Sequence, residues 1–462
     1  MKAQRRVRPT TLSSLSRSRL ILLLAFAFAV MGDPVSSVAY AIEAALHSLH
    51  GDLGLLMATM GIVVAIIALV SLNYHQLYAR FPEGGGAAAA TAAAFGEGWA
   101  FLPLGSLIVD YALTITISVA AGASAIIAYL PGLAPFRVVF ALGLLVLVAG
   151  LSWFGHGGRI VFAAMTVAFV ATALVVLARG IVDPVGHGRI VPAGSHEAAP
   201  LTVLLAFPVA MALATGIEAP SSAIAQLGQL DDGGRRRFGR ITLWMMLAIV
   251  ATLTIGLAAL AVSLDVGLPP SNSTVIAEIA RAASGDGAIF AAFQVTTAVL
   301  LLAAASSSFQ AGPGLLKALS GTGGGVGVLP GGLGRTNRHH TPYWGVVVFL
   351  GVSAALVVAA GAREQRLVLF YAVAVFMAFL CGLLAMARFF RADRRRLLQT
   401  TSVLGAVAVA VTLAANLARG YPIVSLLAAL AIAGVLYRLW TRAGRPRRVA
   451  EAEQMAEASL DQ

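Results

Sequence analysis

The chain has 462 residues, of which 59% are hydrophobic and only 11% are charged. A soluble domain carries about a quarter charged residues, so this composition excludes a soluble enzyme or binding module and places most of the chain in lipid. The formal charge of +12 points either to nucleic acid or to membrane orientation, and the positions of the charges decide between them.

The first 19 residues hold Lys2, Arg5, Arg6, Arg8, Arg17 and Arg19, and an apolar run begins at Leu20. A basic stretch before an apolar core is the layout of a signal peptide. This run instead continues through Asp33-Pro34 and offers no small-residue cleavage site, so it reads as a retained first span. Spans are predicted at 20–47, 53–78, 98–129, 135–154, 159–178, 200–227, 241–263, 287–309, 343–361, 366–388, 398–416 and 422–440. Twelve spans put both termini on one side. With that side cytoplasmic, 25 of the 32 Lys and Arg fall inside and seven outside, as the positive-inside rule requires. The basic surplus thus has a topological cause, and no nucleic-acid partner is expected.

Between the second and third spans, Pro82 to Gly86 and the alanines after it predict a re-entrant or amphipathic element. The Gly-rich basic segment 318–341 reads as a flexible cytoplasmic connector. The tail, 441–462, is short, too short for a folded regulatory domain. Cys381 is the single cysteine and the eight histidines are scattered, which argues against a disulfide or thiolate metal site. The glycine runs at 84–86 and 323–325 lack the Lys-Ser/Thr of a P-loop. No enzyme activity and no cofactor are expected.

The first span contains Gly32-Asp33-Pro34 with Ser36-Ser37, and the sixth contains Gly216, Glu218, Pro220 and Ser221-Ser222. Glycine, acid, proline and a serine pair recur in the same order five spans apart, which inverts the second copy. Inverted repeats with interrupted first helices point to a midplane binding site, because unwound backbone in lipid needs a partner. Two unrelated proline kinks are the plainer alternative. The predicted organisation is a basic N-terminus (1–19), a first repeat (20–178), a second repeat (200–388), two added helices (398–440) and the tail.

A carboxylate in the bilayer interior costs about 2.5–3.5 kcal/mol. Three are predicted at mid-depth, Asp33, Asp110 and Glu218, with no Lys or Arg at similar depth. A bound cation stabilises their charged form, so a proton and a metal ion compete for, or share, the same groups. Asp110, Thr114 and Ser118 follow one another at i, i+4 on one helical stripe, with Tyr111 beside it. Ser37 and Tyr40 follow Asp33, Thr215 and Glu218 flank the second break, and Tyr371 lies in the tenth span. These are hard oxygen ligands suited to a dehydrated alkali ion. Thr114, Thr116 and Ser118 could equally bond back to the preceding helical turn, and Tyr40 and Tyr371 could simply pack. Glu43 is a vestibule residue or a gate. Ser306 to Ser308 line an ion site or form a packing interface.

At these residues the chain resembles the amino acid–polyamine–organocation (APC) superfamily, and within it the KUP/KimA-like potassium-uptake permeases. The similar strings are Asp33 to Glu43, Arg80 to Gly86, Asp110 to Thr114, Leu213 to Glu218, Ser308-Phe309 and Leu369 to Phe376. The resemblance implies an all-α membrane protein of twelve transmembrane helices: a LeuT/APC-like five-plus-five inverted repeat with broken helices 1 and 6 and two extra C-terminal helices. It also implies a potassium site at Asp33, Tyr40, Asp110, Tyr111, Thr114, Ser118, Thr215, Glu218 and Tyr371. Coupling would run through protons at Asp33, Asp110 and Glu218. Two departures stand out: Pro34 follows the acid of the first break, and no large C-terminal domain follows the last span. The expected partners are a small cation and the inner-membrane bilayer, with a homodimer left open. The rival reading is an amino-acid or polyamine permease. Against it, Gly32-Asp33-Pro34 places a negative charge and removes an N–H where such permeases hold a substrate carboxylate.

Overall fold

The computed structural model describes residues 19–154, 158–188, 199–321 and 324–458. Most of the N-terminal basic segment and Arg189 therefore lie outside the described residues. Among the described residues, twelve helices are long and apolar enough to cross a membrane, and each falls on a predicted span.

The first span is α1 (Arg19–Val30) and α2 (Gly32–Ser48), followed by α3 (Leu53–Arg80). A short α4 (Gly86–Phe95) precedes the third span, α5 (Phe101–Tyr129), which is followed by α6 (Arg137–Trp153) and α7 (Arg159–Val182). The sixth span comprises α8 (Ala199–Ala210), a 3-10 turn (Met211–Ala214), α9 (Ala219–Ala223) and a second 3-10 turn (Ile224–Gln226). Then come α10 (Asp232–Ser263), the short α11 (Val275–Ser284), α12 (Ala288–Leu319), α13 (Tyr343–Ala360), α14 (Glu364–Ala392), α15 (Arg396–Leu417) and α16 (Ile423–Arg442). A seven-residue α17 (Ala452–Ala458) lies in the tail.

The third, sixth and tenth spans are the most enclosed, with α5 packed along both α12 and α14. Burial explains their small residues. Gly105 lies so close to α16 that an added Cβ would sit 2.7 Å from the Ala429 carbonyl oxygen. Helix starts outside the apolar core are capped by side chains. Asp52 accepts from the Gly54 N–H (2.8 Å), Asp231 from Gly234 (3.1 Å) and Thr274 from Ala277 (3.3 Å), each satisfying an orphan donor of the first turn.

The two helix interruptions are unequal, which corrects the symmetric expectation. In the first span only Met31 leaves the helix, and the ladder closes around it through Met31 N–H to Ala27 O (2.9 Å) and Val35 N–H to Met31 O (3.0 Å). Pro34 supplies no N–H to the Val30 carbonyl, which accounts for the one-residue break. The sixth span is unwound in earnest from Met211 to Glu218, with Thr215 extended and Gly216 at φ +75°. The eighth span also runs ten residues past its predicted end. Pro313 is tolerated inside α12, and Gly312 leaves room for the Phe349 ring, which an added Cβ would meet at 2.6 Å.

The face carrying Arg80, Arg159, Arg235 to Arg240 and Arg388 to Arg396 is called here the basic face. Three of its elements bear on the cavity. Gly84, Gly85 and Gly86 all have positive φ (100°, 89°, 49°), which turns the chain into α4, an alanine-rich helix buried against α14. The segment after α12, expected to be a flexible connector, is bonded back onto the bundle in its described part. Val326 N–H donates to Ala318 O (2.8 Å) and Asn337 Nδ2 to Trp153 O (2.8 Å). Finally, the tail folds back as α17 against α12, α9 and α4.

Candidate functional site

A cavity of about 160 Å³ opens where the two interrupted spans meet α5, α7 and α12. Asp33, Asp110, Tyr111 and Glu218 line it, so the three predicted carboxylates do converge on one space. Gly216 makes the convergence possible: a Cβ there would fall 2.7 Å from Pro34 Cδ and 2.8 Å from Asp33 Oδ2. The backbone of the sixth span thus rests against the acid and proline of the first. Only glycine meets both the close approach and the left-handed φ.

Asp110 is buried and Asp33 half-buried, and each leaves Oδ1 without a hydrogen-bond partner. Buried carboxylate oxygens without donors are uncommon and call for an explanation. Glu218 is buried, and its Oε2 accepts from the Tyr74 hydroxyl at 3.4 Å. Tyr74 was not among the predicted residues, because it sits in the polar C-terminal stretch of α3 with Asn73, His75 and Gln76 and carries no signal of a partner in the sixth span.

The other five predicted residues do not line the cavity. They form two hydroxyl pairings in the packed centre and one unpaired group. Ser37 Oγ lies 2.8 Å from both the Tyr40 hydroxyl and Thr215 Oγ1, tying the first span to the unwound stretch of the sixth. Thr215 also donates to Ala212 O at 2.9 Å. Thr114 and the Tyr371 hydroxyl share a hydrogen bond between α5 and α14. Tyr371 is within electrostatic reach of Asp110, Tyr40 and Asp33, so this layer borders the acids. Ser118 Oγ is buried and unpartnered. Thr116 takes the plain role, bonding back to Ala112 O at 2.6 Å. Ser307 and Ser308 line the cavity, while Ser306 faces Ser152 at 3.4 Å.

Two expectations need correction. Where no Lys or Arg was expected near the three acids, Arg159 lines the same cavity, so a basic side chain does share their space. It begins α7, where the sequence shows only a loop-to-helix boundary. Glu43 is not a surface residue of a vestibule. It is buried, with Oε2 accepting the Val275 N–H (2.9 Å) and Oε1 3.7 Å from His47 Nε2. This contact pins α11 over the end opposite the basic face. There, Glu364 Oε2 accepts from Ser124 (2.7 Å), and Arg137 donates to Ser124 (2.5 Å) and Ser271 O (2.8 Å).

The tail supplies wall residues that sequence reasoning missed. Glu453 and Glu457 of α17 line the cavity at its basic-face end, beside Ser222, Gln226 and Gln310. Ser222 donates to Glu453, and Gln226 Nε2 donates to Glu457 Oε2 at 2.8 Å. Burial pushes the Glu453 carboxyl up to about 7, with the Ser222 hydrogen bond working against the rise.

The chain is similar to several known proteins. Potassium transporter KimA of Bacillus subtilis is 28% identical over 386 residues, covering 80% of this chain and 62% of that protein. This chain therefore spans less than two thirds of that relative's length. Two structures of variants of the Eremococcus coleocola manganese transporter align over 95% of this chain and 96% of theirs. Their identities are 14% and 13% and their TM-scores 0.49 and 0.48. The model of the family described as amino acid permease matches residues 21–447, nearly the whole helical bundle, and the chain belongs to that family.

Proposed function

We propose that the protein is a secondary active transporter that takes up a small monovalent cation, potassium, together with protons, by alternating access. The observation that carries this reading is the pair of buried Oδ1 atoms of Asp33 and Asp110, without donors, at one cavity. Five acids line this cavity beside Arg159, an excess of carboxylates that a positive species stabilises in a low-dielectric site, and hard carboxylate, phenol and hydroxyl oxygens suit a dehydrated alkali ion. The similarity to a protein named as a potassium transporter supports the same cargo. In this reading Asp33, Asp110 and Glu218 carry both the ion and the coupling proton. Tyr40, Thr114, Thr215 and Tyr371 form the hydroxyl layer that closes around the ion when the cavity changes sides. Both termini, and with them the basic face, are cytoplasmic in the inner membrane, following the positive-inside rule. The two repeats would rock about the unwound sixth span, the only long irregular stretch among the described spans.

A second reading is an amino-acid or polyamine permease. It is favoured by the family's description and by Arg159, a basic side chain in a wall otherwise rich in acids. Uptake of rubidium by vesicles holding the purified protein, run against labelled amino acids and polyamines, decides between them. Rubidium accumulation that grows with an inward pH gradient supports the cation symporter. Accumulation of an amine or amino acid, with no rubidium taken up, replaces it with the second reading.

A further inference from the structure

The tail beyond the last span is not absorbed by the function proposed above, yet its residues from Val449 to Ala456 are packed into the bundle. Val449, Ala452 and Ala456 are buried, in one apolar cluster with Phe101, Leu104, Leu315 and Trp440. Ala450 N–H donates to Glu97 Oε2 at 3.3 Å. Glu453 lies against the glycine turn, where a Cβ on Gly86 would meet Glu453 Oε1 at 2.9 Å and Ser222 Oγ at 3.0 Å. On the other side a Cβ on Gly314 of α12 would sit 3.7 Å from Ala456 Cβ. The segment is therefore held by α4, by α12 and by α9 of the unwound sixth span, and its two acids form part of the cavity wall. An exposed seven-residue helix has no stability of its own in water, so α17 exists only while docked.

We propose that residues 449–458 are the cytoplasmic gate of the transport cavity, with Glu453 and Glu457 latching it to the moving sixth span through Ser222 and Gln226. The inference rests on the transport reading for its purpose, but its geometry stands without it. The latch joins the tail to the segment next to Glu218, so a change in the unwound stretch on ion binding or release acts directly on Ser222 and Gln226. When those two contacts break, the acids leave the wall and the basic-face end of the cavity is uncovered. When they form, the ion path on that side is shut.

Two experiments on the full bundle test this, both in a Cys381→Ser background. In the first, Ser307→Cys in the cavity wall is labelled by a water-soluble maleimide in inside-out vesicles, with and without a stop after Arg448. Removal of the tail is expected to raise the labelling rate at least fivefold, and an unchanged rate overturns the gate. In the second, the intact chain carries Gly314→Cys and Ala456→Cys, whose Cβ separation of 3.7 Å suits a disulfide. Oxidation is expected to stop rubidium uptake and reductant to restore it. Undiminished uptake with both thiols consumed overturns the proposal even if the truncated chain fails to fold. Should the unsubstituted protein take up no rubidium, the cargo assignment fails while the labelling experiment still decides the gate.

Discussion

Thr114 and Tyr371, 257 positions apart in the chain, meet through their hydroxyls between the third and tenth spans. Both are buried. A contact at this point couples the cavity wall to a helix of the opposite predicted repeat. Tyr371→Phe removes the phenol oxygen and leaves Thr114 free to bond back to the preceding helical turn. The folded bundle should lose only about 1 kcal/mol, seen as a small drop in melting temperature in detergent. Rubidium uptake should fall at least tenfold. Wild-type uptake would mean that the phenol only packs.

Asp33→Asn and Glu218→Gln keep shape and remove charge. If these acids carry the cation, each variant should insert and fold normally while uptake falls to background. Potassium-limited growth of an uptake-deficient host provides the check, with membrane abundance measured in the same cells. Glu218→Gln also keeps an oxygen that can accept from Tyr74, so its loss of uptake would report on charge rather than on that hydrogen bond.

How much of this was legible in the sequence follows from the range of each interaction. The spans could be read because a run of about 20 apolar residues is a local property, and each of the twelve was found. The convergence of Asp33, Asp110 and Glu218 was legible too, since lone acids in apolar helices announce themselves. The unequal breaks were not legible, because Pro34 and Pro220 look alike in sequence. Pro34 follows one residue outside the helix, whereas Pro220 starts a short helix after an unwound stretch whose geometry depends on Gly216 resting against Pro34. Arg159, Tyr74 and Glu453 were missed for a related reason. Arg159 and Glu453 join the cavity wall through tertiary packing of a helix end and of a surface-like tail, Tyr74 only reaches Glu218 from a neighbouring helix, and none is marked by its neighbours in the chain.

The Gly216 contact itself can be tested. Gly216→Ala would push a methyl to within 2.7 Å of Pro34 Cδ in a backbone region costly for any L side chain. The strain should cost about 1–3 kcal/mol and separate the sixth span from Asp33. Expected outcomes are a melting temperature several degrees lower and at least tenfold lower uptake. A crystal structure of the variant with the Gly216–Pro34 contact unchanged would refute this steric account.

At the opposite end, Glu43 satisfies the first orphan N–H of α11 at Val275. Glu43→Ala leaves that donor buried and unpaired, at a cost of about 1–3 kcal/mol. Glu43→Gln retains an accepting oxygen and should cost much less. Melting of the two variants in the same detergent distinguishes them. Equal losses would mean that the charge of Glu43, not its hydrogen bond, holds the helix.

The tail gives the molecule a pH response whose sign can be worked out. Docking raises the Glu453 carboxyl from 4.5 to about 7, so the docked tail binds its proton more tightly than the released one. Its contribution to docking is complete below pH 4.5 and is lost as pH rises to about 7. The titratable groups around it are Glu218, Tyr74 and Tyr111, which feel its charge, together with Arg159 and Glu457 in the cavity wall. Of the other elements packed on the tail, α4 and α9 carry no titratable side chain, α12 carries Lys317, the 3-10 turn before α5 carries Glu97, which accepts from the Ala450 N–H, and the turn before α17 carries Glu451, paired with Arg448 at 2.7 Å. An acid cytoplasm should therefore tighten the gate and limit further proton influx. Labelling of Ser307→Cys in inside-out vesicles, normalised at each pH to the SDS-unfolded protein, should rise severalfold between pH 5 and 7.5. In Glu453→Gln, which cannot ionise, the profile should be flat and low. A pH response that survives that substitution would assign the titration to another group in the wall, with Glu457 the first to examine.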